Sequence, residues 1–365
     1  MGRTLSRIIA IVTLPGSILC AQDIAVSWQE NSKVGADLPI AYCALPRTGL
    51  QGEPKEIVWQ RDPQSRFKST FVIVDKNVKL QVIDWGGSGR PLVLLAGLGA
   101  TARAFDKFAP KLTENYHVYG ITRRGFGASS APAPTDRNYS ADRLGDDVLA
   151  VVESLKLNRP VLVGHSIAGE ELSSIGSRYP DKVAGLIYLD AGYSYAYYDR
   201  SRGDLVLDSL ELRKRLEQLI PGAGSQDQKQ LVQELLRTSL PQIERDLREQ
   251  QRALQSMPTL PQPGGLSSTT DQAIFEGEQK YTDIRVPILA IFAVPHHFPI
   301  FQNDPSARAA AEALDAAYSG AQARAFENGL PSAHVVRIPN AEHWVFQSNE
   351  PDVLREMNAF IQNLP

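Results

Sequence analysis

The sequence predicts an α/β fold: a doubly wound, mostly parallel sheet with an all-helical segment inserted late in the chain. Two observations support the prediction of the sheet. Continuous apolar runs, typical of strands buried on both faces, recur along the chain, and helix-period segments separate them. A third observation predicts the helical insertion: residues 192–283 are rich in Leu, Gln, Arg and Glu at helical spacing and show no obvious strand.

The predicted core comprises residues 69–191 and 284–365, and the insertion forms a helical cap over 192–283. The first two strands of the core form a hairpin over 71–74 and 78–85. Further strands are predicted at 91–96, 116–121, 160–164, 183–190, 286–294 and 334–338. Core helices are predicted at 102–112, 141–155, 305–327 and 351–361, and cap helices near 204–220, 226–239 and 241–256, followed by a break over 258–268.

Composition limits the classes of function. The chain has 365 residues, of which 43% are hydrophobic and 22% charged, as in ordinary globular proteins. Its net charge of −3 argues against nucleic acid as a partner, because nucleic-acid binding calls for a basic face. The sequence contains no charge run, low-complexity tract or repeat at solenoid periods.

The first 21 residues have the pattern of a secretory signal. Arg3 and Arg7 precede a short apolar stretch, and Ala21 provides a small residue for cleavage. The stretch is too short, and too broken by a Pro-Gly pair, to span a bilayer. We therefore expect an exported protein, periplasmic or secreted. A lipoprotein signal ending at Cys20 is the alternative, although Leu19 is bulky where a small residue is usual.

Cleavage after Ala21 removes two arginines and no acids, so the net charge falls from −3 to −5. It leaves Cys43 as the only cysteine, so no intrachain disulfide is then possible. We interpret Cys43 as a small buried apolar residue. Residues 22–68 are predicted to be an N-terminal extension, with possible strands at 40–45 and 56–60.

The short stretch around Ser166 is the strongest chemical motif. A buried strand, 161–163, runs into Gly-His-Ser-Ile-Ala-Gly and then into a helix. A serine at such a turn is held in a strained backbone conformation that exposes its hydroxyl above the sheet. Gly164, Ala168 and Gly169 are small, as close packing of strand and helix requires. The alternative is that this pattern is an ordinary tight turn.

Serine needs a base to become a nucleophile, and the base needs a carboxylate to orient it. His343 follows the last predicted strand and precedes the final helix, a placement that suits a general base reaching Ser166. Function collects at the carboxyl ends of parallel strands, which favours this role over a structural histidine.

These motifs resemble those of α/β-hydrolase fold enzymes with a helical cap, over roughly 69–365. The resemblance rests on the serine turn at 164–169, the Gly-Leu-Gly loop at 97–99, the Arg-Gly-Phe-Gly-Ala-Ser segment at 124–129 and the late His343. It implies that the backbone N–H groups of Leu98 and Ile167 form an oxyanion hole. Where the family often has a histidine before the first glycine and an aspartate before the arginines, this chain has Ala96 and Thr122.

The resemblance also suggests where the carboxylate that orients His343 should lie. Many relatives carry it after the strand that is here 286–294, but this chain has Val-Pro-His-His-Phe there, and Asp304 is the first carboxylate. The fold also accepts an acid at the end of the preceding strand, where Asp190 stands. We favour Asp190 over Asp304, and the alternative role for Asp190 is to cap its own turn.

Other polar residues are assigned lesser roles. His296 and His297 have no Cys/His/Asp cluster at ligand spacing, so we expect no metal and no cofactor, and one of them is a candidate polar contact in the pocket. Glu170 and Glu171 are interpreted as helix N-terminal charges, and the alternative for Glu170 is a place at the border of the site. The tyrosines that follow Asp190 line an acyl pocket or pack the cap hinge: Tyr193, Tyr195, Tyr197 and Tyr198.

The resemblance implies a serine hydrolase, carboxylesterase-like, that cleaves an ester or similar small acyl substrate through an acyl-enzyme on Ser166. A serine at this turn excludes epoxide hydrolase and haloalkane dehalogenase chemistries, which use an aspartate. C–C bond hydrolases and lactonases share the scaffold and stay open, as does a non-catalytic ligand-binding relative. Substrate identity and oligomeric state do not follow from the sequence.

Overall fold

A computed structural model describes residues 60–61, 67–220, 227–256, 268–298 and 303–365. The predicted signal 1–21, nearly all of the extension 22–68 with Cys43, and most of the predicted break at 258–268 lie outside these residues. No helix in the described ranges combines the length and apolar character that crossing a membrane requires.

Nine strands form one sheet. They are β1 Gln60–Arg61, β2 Lys68–Asp75, β3 Val78–Gly86, β4 Arg90–Leu95, β5 Tyr116–Ile121, β6 Val161–His165, β7 Gly185–Leu189, β8 Ile288–Ala293 and β9 Ala333–Ile338. Their order is β1-β2-β3-β5-β4-β6-β7-β8-β9. The pairs from β5 through β4 to β9 are parallel, whereas β1, β2 and β3 extend the sheet antiparallel. The predicted mostly parallel sheet and its hairpin are confirmed.

Helices flank the sheet and fill the described part of the insertion. They are α1 Ala109–Leu112, α2 Asp136–Tyr139, α3 Ala141–Ser154, α4 Ala168–Arg178, α5 Leu205–Glu217, α6 Gln228–Glu234, α7 Leu240–Ser256, α8 Thr269–Glu276, α9 Pro305–Gly329, α10 Val345–Ser348 and α11 Glu350–Gln362. Short 3₁₀ turns cover Ala102–Phe105 and Pro180–Lys182, and a π-helical turn, Leu235–Ser239, joins α6 to α7.

The predicted helices differ from the structure in several places, and the single-turn helices α2 and α10 were not predicted. The single helix expected over 102–112 is a 3₁₀ turn followed by α1, because Pro110 lacks an N–H and fits only near a helix start. The two helices expected over 226–256 run on through a π-helical turn just before Pro241. Helix α8 was not predicted; it begins at Ser268, whose hydroxyl accepts a hydrogen bond from the N–H of Asp271.

The apolar runs are strands covered on both faces. In β6, Leu162 packs in the hydrophobic cluster on one side of the sheet, while Val161 and Val163 pack in the cluster on the other side. Because successive side chains of a strand point to opposite faces, a strand covered on both sides must be apolar at every position. All five residues of β6 are accordingly buried.

Topology brings the predicted site residues to one edge of the sheet. β6, β7, β8 and β9 are parallel neighbours, so their carboxyl ends lie side by side. Ser166 follows β6, Asp190 follows β7, and His343 comes a few residues after β9. This edge is where parallel α/β sheets carry their functional groups.

Candidate active site

Ser166 occupies the turn between β6 and α4. Its φ of +55° is the left-handed conformation that side chains other than glycine rarely adopt. The turn is held at both ends, because the N–H of Ser166 donates to the carbonyl of Leu189 (3.3 Å) and its carbonyl accepts from Gly169 (2.9 Å). A Cβ at Gly164 would lie 2.9 Å from Leu172, which is why a small residue is needed there. The predicted strained turn is present.

The loop after β4 packs directly on this turn. A Cβ added at Gly97 would lie 3.1 Å from the Cβ of Ser166 and 2.9 Å from Nδ1 of His165. Only glycine lets the loop backbone come this close to the serine.

Arg123 orients the same loop from beneath. Its guanidinium donates to the carbonyls of Ala96 (3.1 Å) and Gly97 (3.4 Å), and it also pairs with the carboxylate of Glu171. Since the C=O and N–H of a planar trans peptide point in opposite directions, the Gly97 carbonyl that faces Arg123 turns the N–H of Leu98 away from Arg123. The buried ion pair therefore fixes the direction of the Leu98 N–H.

His343 and Asp190 form a buried pair. Nδ1 of His343 lies 2.7 Å from Oδ2 of Asp190, and both residues are 0% exposed. Asp304, the rival acid, instead caps helix α9, where its Oδ1 accepts from the N–H of Ala307 (2.9 Å). Of the two candidate acids, Asp190 is the one in contact with the histidine.

The Asp190 carboxylate is saturated with donors. Its Oδ1 accepts from the N–H of Ala293 at the end of β8 (3.0 Å), and its Oδ2 accepts from the hydroxyl of Tyr193 (3.1 Å) as well as from His343. Asp190 itself has a φ of +46°. Because Ala293 belongs to the neighbouring strand, this carboxylate joins two strand ends and is more than a cap on its own turn.

The four tyrosines that follow β7 make different contacts. Tyr193 contacts Asp190, and Tyr195 lies half-buried against an apolar cluster beneath the inserted helices. Tyr197 packs edge-on against an aromatic ring of the core, and Tyr198 donates to a carboxylate of α5. Tyr193 thus joins the Asp190 network and Tyr197 ties the insertion to the core, whereas Tyr198 bonds within the insertion.

His165 supports His343 from the serine side. Burial, together with the neighbouring His343, lowers the pKa of His165 to about 3, so its ring is neutral and carries one proton. That proton is on Nε2, which lies 3.0 Å from the backbone carbonyl of His343 and must donate to it. The two rings are 4.7 Å apart. The serine turn and the histidine loop are thus joined directly.

Sequence reasoning underestimated His296. It was expected to be at most a polar contact, yet its Nε2 lies 2.7 Å from Oδ2 of Asp190. Its Nδ1 and its backbone N–H lie 3.0 and 2.7 Å from Oδ2 of Asp315 on α9, a residue that sequence reasoning missed. The available signal was the position of His296, just after β8, where many relatives carry the acid.

The two histidines shift the ionisation of Asp190. Burial by itself would raise the pKa of this carboxyl, but the charge of His296 and the hydrogen bonds from His296 and His343 hold it well below its usual range. Burial would likewise lower the pKa of His296, and the carboxylates of Asp190 and Asp315 raise it well above its usual value. These shifts favour the carboxylate form of Asp190 and the protonated form of His296.

Among the described residues, one group of three has the ligand types and spacing that a metal site would need. The atoms offered by Asp190, His296 and His343 lie within 4.8 Å of one another. Both histidines already point a nitrogen at the same Asp190 oxygen at 2.7 Å, a hydrogen-bond length. The geometry is that of a hydrogen-bonded network, and we assign no metal to it.

Glu170 and Glu171 lie in the first turn of α4, as predicted, and both are buried, at 0% and 3% exposure. Glu171 pairs with Arg123. Both carboxylate oxygens of Glu170 are buried, and the described residues offer them no hydrogen-bond partner. Burial, reinforced by the nearby Glu278, raises the pKa of Glu170 well above its usual value, and burial does the same for Glu278.

Glu170→Gln is expected to stabilise the protein at neutral pH. Below the unfolded pKa of about 4.5 the carboxyl is neutral in both states. Above it, the unfolded chain releases a proton that the folded chain retains, so stability falls by about 1.4 kcal/mol per pH unit up to the folded pKa. Glutamine removes this loss, so we expect a Tm about 5–10 °C higher at pH 7.5 and a difference that vanishes near pH 4.5. Thermal unfolding across this range measures it, with exposed Glu153→Gln as the control; a pH-independent difference would contradict the prediction.

Comparison with known proteins agrees with this architecture. Residues 92–356 match the family model described as alpha/beta hydrolase family. The chain is 24% identical to a 2-(acetamidomethylene)succinate hydrolase from Mesorhizobium japonicum, over 75% of this chain and 89% of that protein. It is 34% identical to a fluoroacetate dehalogenase from a Burkholderia species over only 31% of this chain, spanning 38% of that relative's length.

Solved structures show the same fold. A bromoperoxidase from Bacillus anthracis superposes with a TM-score of 0.51 at 20% identity, over 81% of this chain and all of that one (100%). At this identity the likeness concerns the fold alone. Because the family model covers most of the sequence, from β4 into the final helix, the chain belongs to the alpha/beta hydrolase family.

Proposed function

We propose that the protein is a serine hydrolase that cleaves an ester or related small acyl substrate through an acyl-enzyme on Ser166. The observation that carries the proposal is the buried hydrogen bond of 2.7 Å between His343 and Asp190, at the sheet edge where the strained turn presents Ser166. A neutral serine hydroxyl needs an oriented base, and the bond to Asp190 supports His343, which follows a strand of the same sheet edge, as that base.

In this proposal His343 moves the protons. Nδ1–H of His343 donates to Asp190, which leaves the lone pair on Nε2 to take the proton from the Ser166 hydroxyl as Oγ attacks the acyl carbon. The leaving alcohol receives that proton from Nε2, and the acyl group stays on Oγ. Water then loses a proton to Nε2 and attacks the same carbon. As the bond from that carbon to Oγ breaks, Nε2 returns the proton to Oγ, which releases the carboxylic acid and regenerates the serine hydroxyl.

The oxyanion formed in each step is held by backbone N–H groups of Leu98 and Ile167. Arg123 donates to the Gly97 carbonyl and so fixes the direction of the Leu98 N–H. This contact supports Leu98 as the first donor. Ile167 precedes helix α4, whose N-terminal end favours negative charge. Donors held in place before reaction stabilise the transition state more than the bound substrate.

An apolar cluster beside these donors suits a small acyl group. It includes Leu98 and Ile167 from the core and Ala273 and Ile274 from α8 of the insertion. Because α8 of the insertion packs in the same cluster as Leu98 and Ile167, the helices over 192–283 are proposed to act as a cap that encloses the substrate. Shape in this cluster, more than the catalytic groups, then selects among esters, lactones and cleavable C–C bonds.

The proposal is tested by labelling residues 22–365, the form expected after export, with a fluorophosphonate and measuring intact mass. We expect one adduct on the wild type and none on Ser166→Ala. A single adduct leads to a screen of esters, lactones and 2-(acetamidomethylene)succinate, the compound named for the Mesorhizobium relative. A folded protein that takes no label contradicts an activated serine and favours a non-catalytic ligand-binding protein.

A further inference from the structure

We propose that His296 is a positioning residue, a buried imidazolium clamped between Asp190 and Asp315 that holds the Asp190 carboxylate against His343. This inference rests on the proposed serine-hydrolase function and extends its machinery from three side chains to five. Neither His296 nor Asp315 would touch the substrate; both act through Asp190.

The proton count follows from the contacts. Nε2 of His296 lies 2.7 Å from Asp190 and Nδ1 lies 3.0 Å from Asp315. A carboxylate only accepts hydrogen bonds, whereas a neutral imidazole has one N–H. Two carboxylate partners therefore require protons on both ring nitrogens, so the ring is a cation. The burial of all three residues, each 3% exposed or less, makes these charge-assisted bonds strong.

The clamp is held on its far side as well. The backbone N–H of His296 donates to Asp315 (2.7 Å), whose other oxygen accepts from the hydroxyl of Ser319 (2.7 Å) one helical turn later on α9. The loop of His296 is also tied to the loop of His343, because the N–H of His297 donates to the carbonyl of Ala341 (2.8 Å). The two histidines that share Asp190 thus stand on loops that are hydrogen-bonded together.

The need for such a clamp follows from where the acid is. Asp190 ends β7, and its side chain must keep one oxygen on His343 across the end of β8. His296 comes from the loop after β8 and meets the same oxygen, at 2.7 Å, that His343 meets. An uncompensated carboxylate buried this deeply would be costly, and the cation offsets that cost without moving Asp190 away from His343.

Charge gives a readout that a merely structural role would not produce. The titratable groups that face His296 among the described residues are Asp190, Asp315, Tyr193 and His343, the last with its ring centre 6.3 Å away. The His296 cation opposes a second positive charge on His343. Removing that cation removes this repulsion, so the acid limb of the pH–rate profile is expected to move upward, by about one pH unit.

The test uses His296→Gln and Asp315→Asn in the mature chain, with His297→Gln as the matched control. Glutamine keeps one donor for Asp190 but no charge. For kcat/KM on a p-nitrophenyl ester we expect the acid limb to rise by about one pH unit in His296→Gln, whereas Asp315→Asn tests the clamp through the plateau. The plateau should fall about tenfold, as when a partner that orients a catalytic group is lost. The control should match the wild type.

Two outcomes overturn the inference: a folded, active His296→Gln whose acid limb matches the wild type, or ¹⁵N spectra of histidine-labelled Ser166→Ala in which the His296 ring is singly protonated at pH 7. The spectra need no catalysis, so they separate this inference from the proposed function. If the wild type takes no fluorophosphonate, the hydrolase proposal fails while the imidazolium remains measurable.

Discussion

Asp190→Asn is expected to lower kcat by about 10³–10⁴-fold while leaving the fold intact. The carboxylate accepts from Nδ1 of His343 at 2.7 Å and so keeps the proton on that nitrogen. An amide NH₂ at this place would donate instead, which moves the proton to Nε2 and removes the lone pair that takes the serine proton. Steady-state hydrolysis of a p-nitrophenyl ester measures the loss, and circular dichroism checks the fold.

The matched control is Asp304→Asn. Asp304 caps helix α9 and lies outside the His343 network, so its replacement should cost some stability, about 1 kcal/mol, and leave kcat unchanged. Near-normal turnover in Asp190→Asn, or a large loss in Asp304→Asn, would reverse the choice of acid.

Gly97→Ala is expected to lower kcat by about 10²-fold or more, the cost of misplacing one oxyanion donor. The added methyl would lie 2.9 Å from the His165 ring and 3.1 Å from the Ser166 Cβ, so the loop must retreat from the serine. Retreat moves the Leu98 N–H out of reach of the oxyanion, whereas the general base is unaffected. The loss should therefore appear in kcat at every pH, with no displacement of the pH–rate profile.

Gly320→Ala on helix α9 is the control for this substitution. Its added methyl would have room, with the nearest atoms at 3.5 Å or beyond, and alanine favours a helix. It should retain full activity. If Gly97→Ala also retained its kcat, the loop after β4 would not supply an oxyanion donor.

The fold followed from local rules. The runs at 91–96 and 161–163 are apolar at every position because the sheet is covered on both sides, and that periodicity is readable without tertiary information. The turn at Ser166 was legible for a similar reason, since steric crowding restricts its neighbours to small residues. Where local rules conflicted, prediction failed: Pro110 broke an apparent helix, and the short α8 carried too little pattern to be noticed.

The sequence predicted those site residues that lie next to the ends of strands, because their place follows from the order of the strands along the chain. Ser166 and His343 stand next to strand ends, so the parallel topology was enough to expect them at one edge. Choosing Asp190 over Asp304 needed no contact information, because Asp190 directly ends a strand. Glu170 and Glu171 lie in the first turn of a helix as predicted, but their burial was not predictable, because it depends on Arg123, on Glu278 and on other segments far away in the chain.

The sequence by itself determined the parallel sheet, the strained serine turn and the strand ends near Ser166, Asp190 and His343. Each of these features depends on residues that are close together in the chain. Only the tertiary structure decided the ionic network. In the sequence His296 is one of two adjacent histidines after a strand. In the structure it lies between Asp190, which follows β7, and Asp315 on α9. A charge buried between two others depends on distances among three separate segments, and no local pattern encodes those distances.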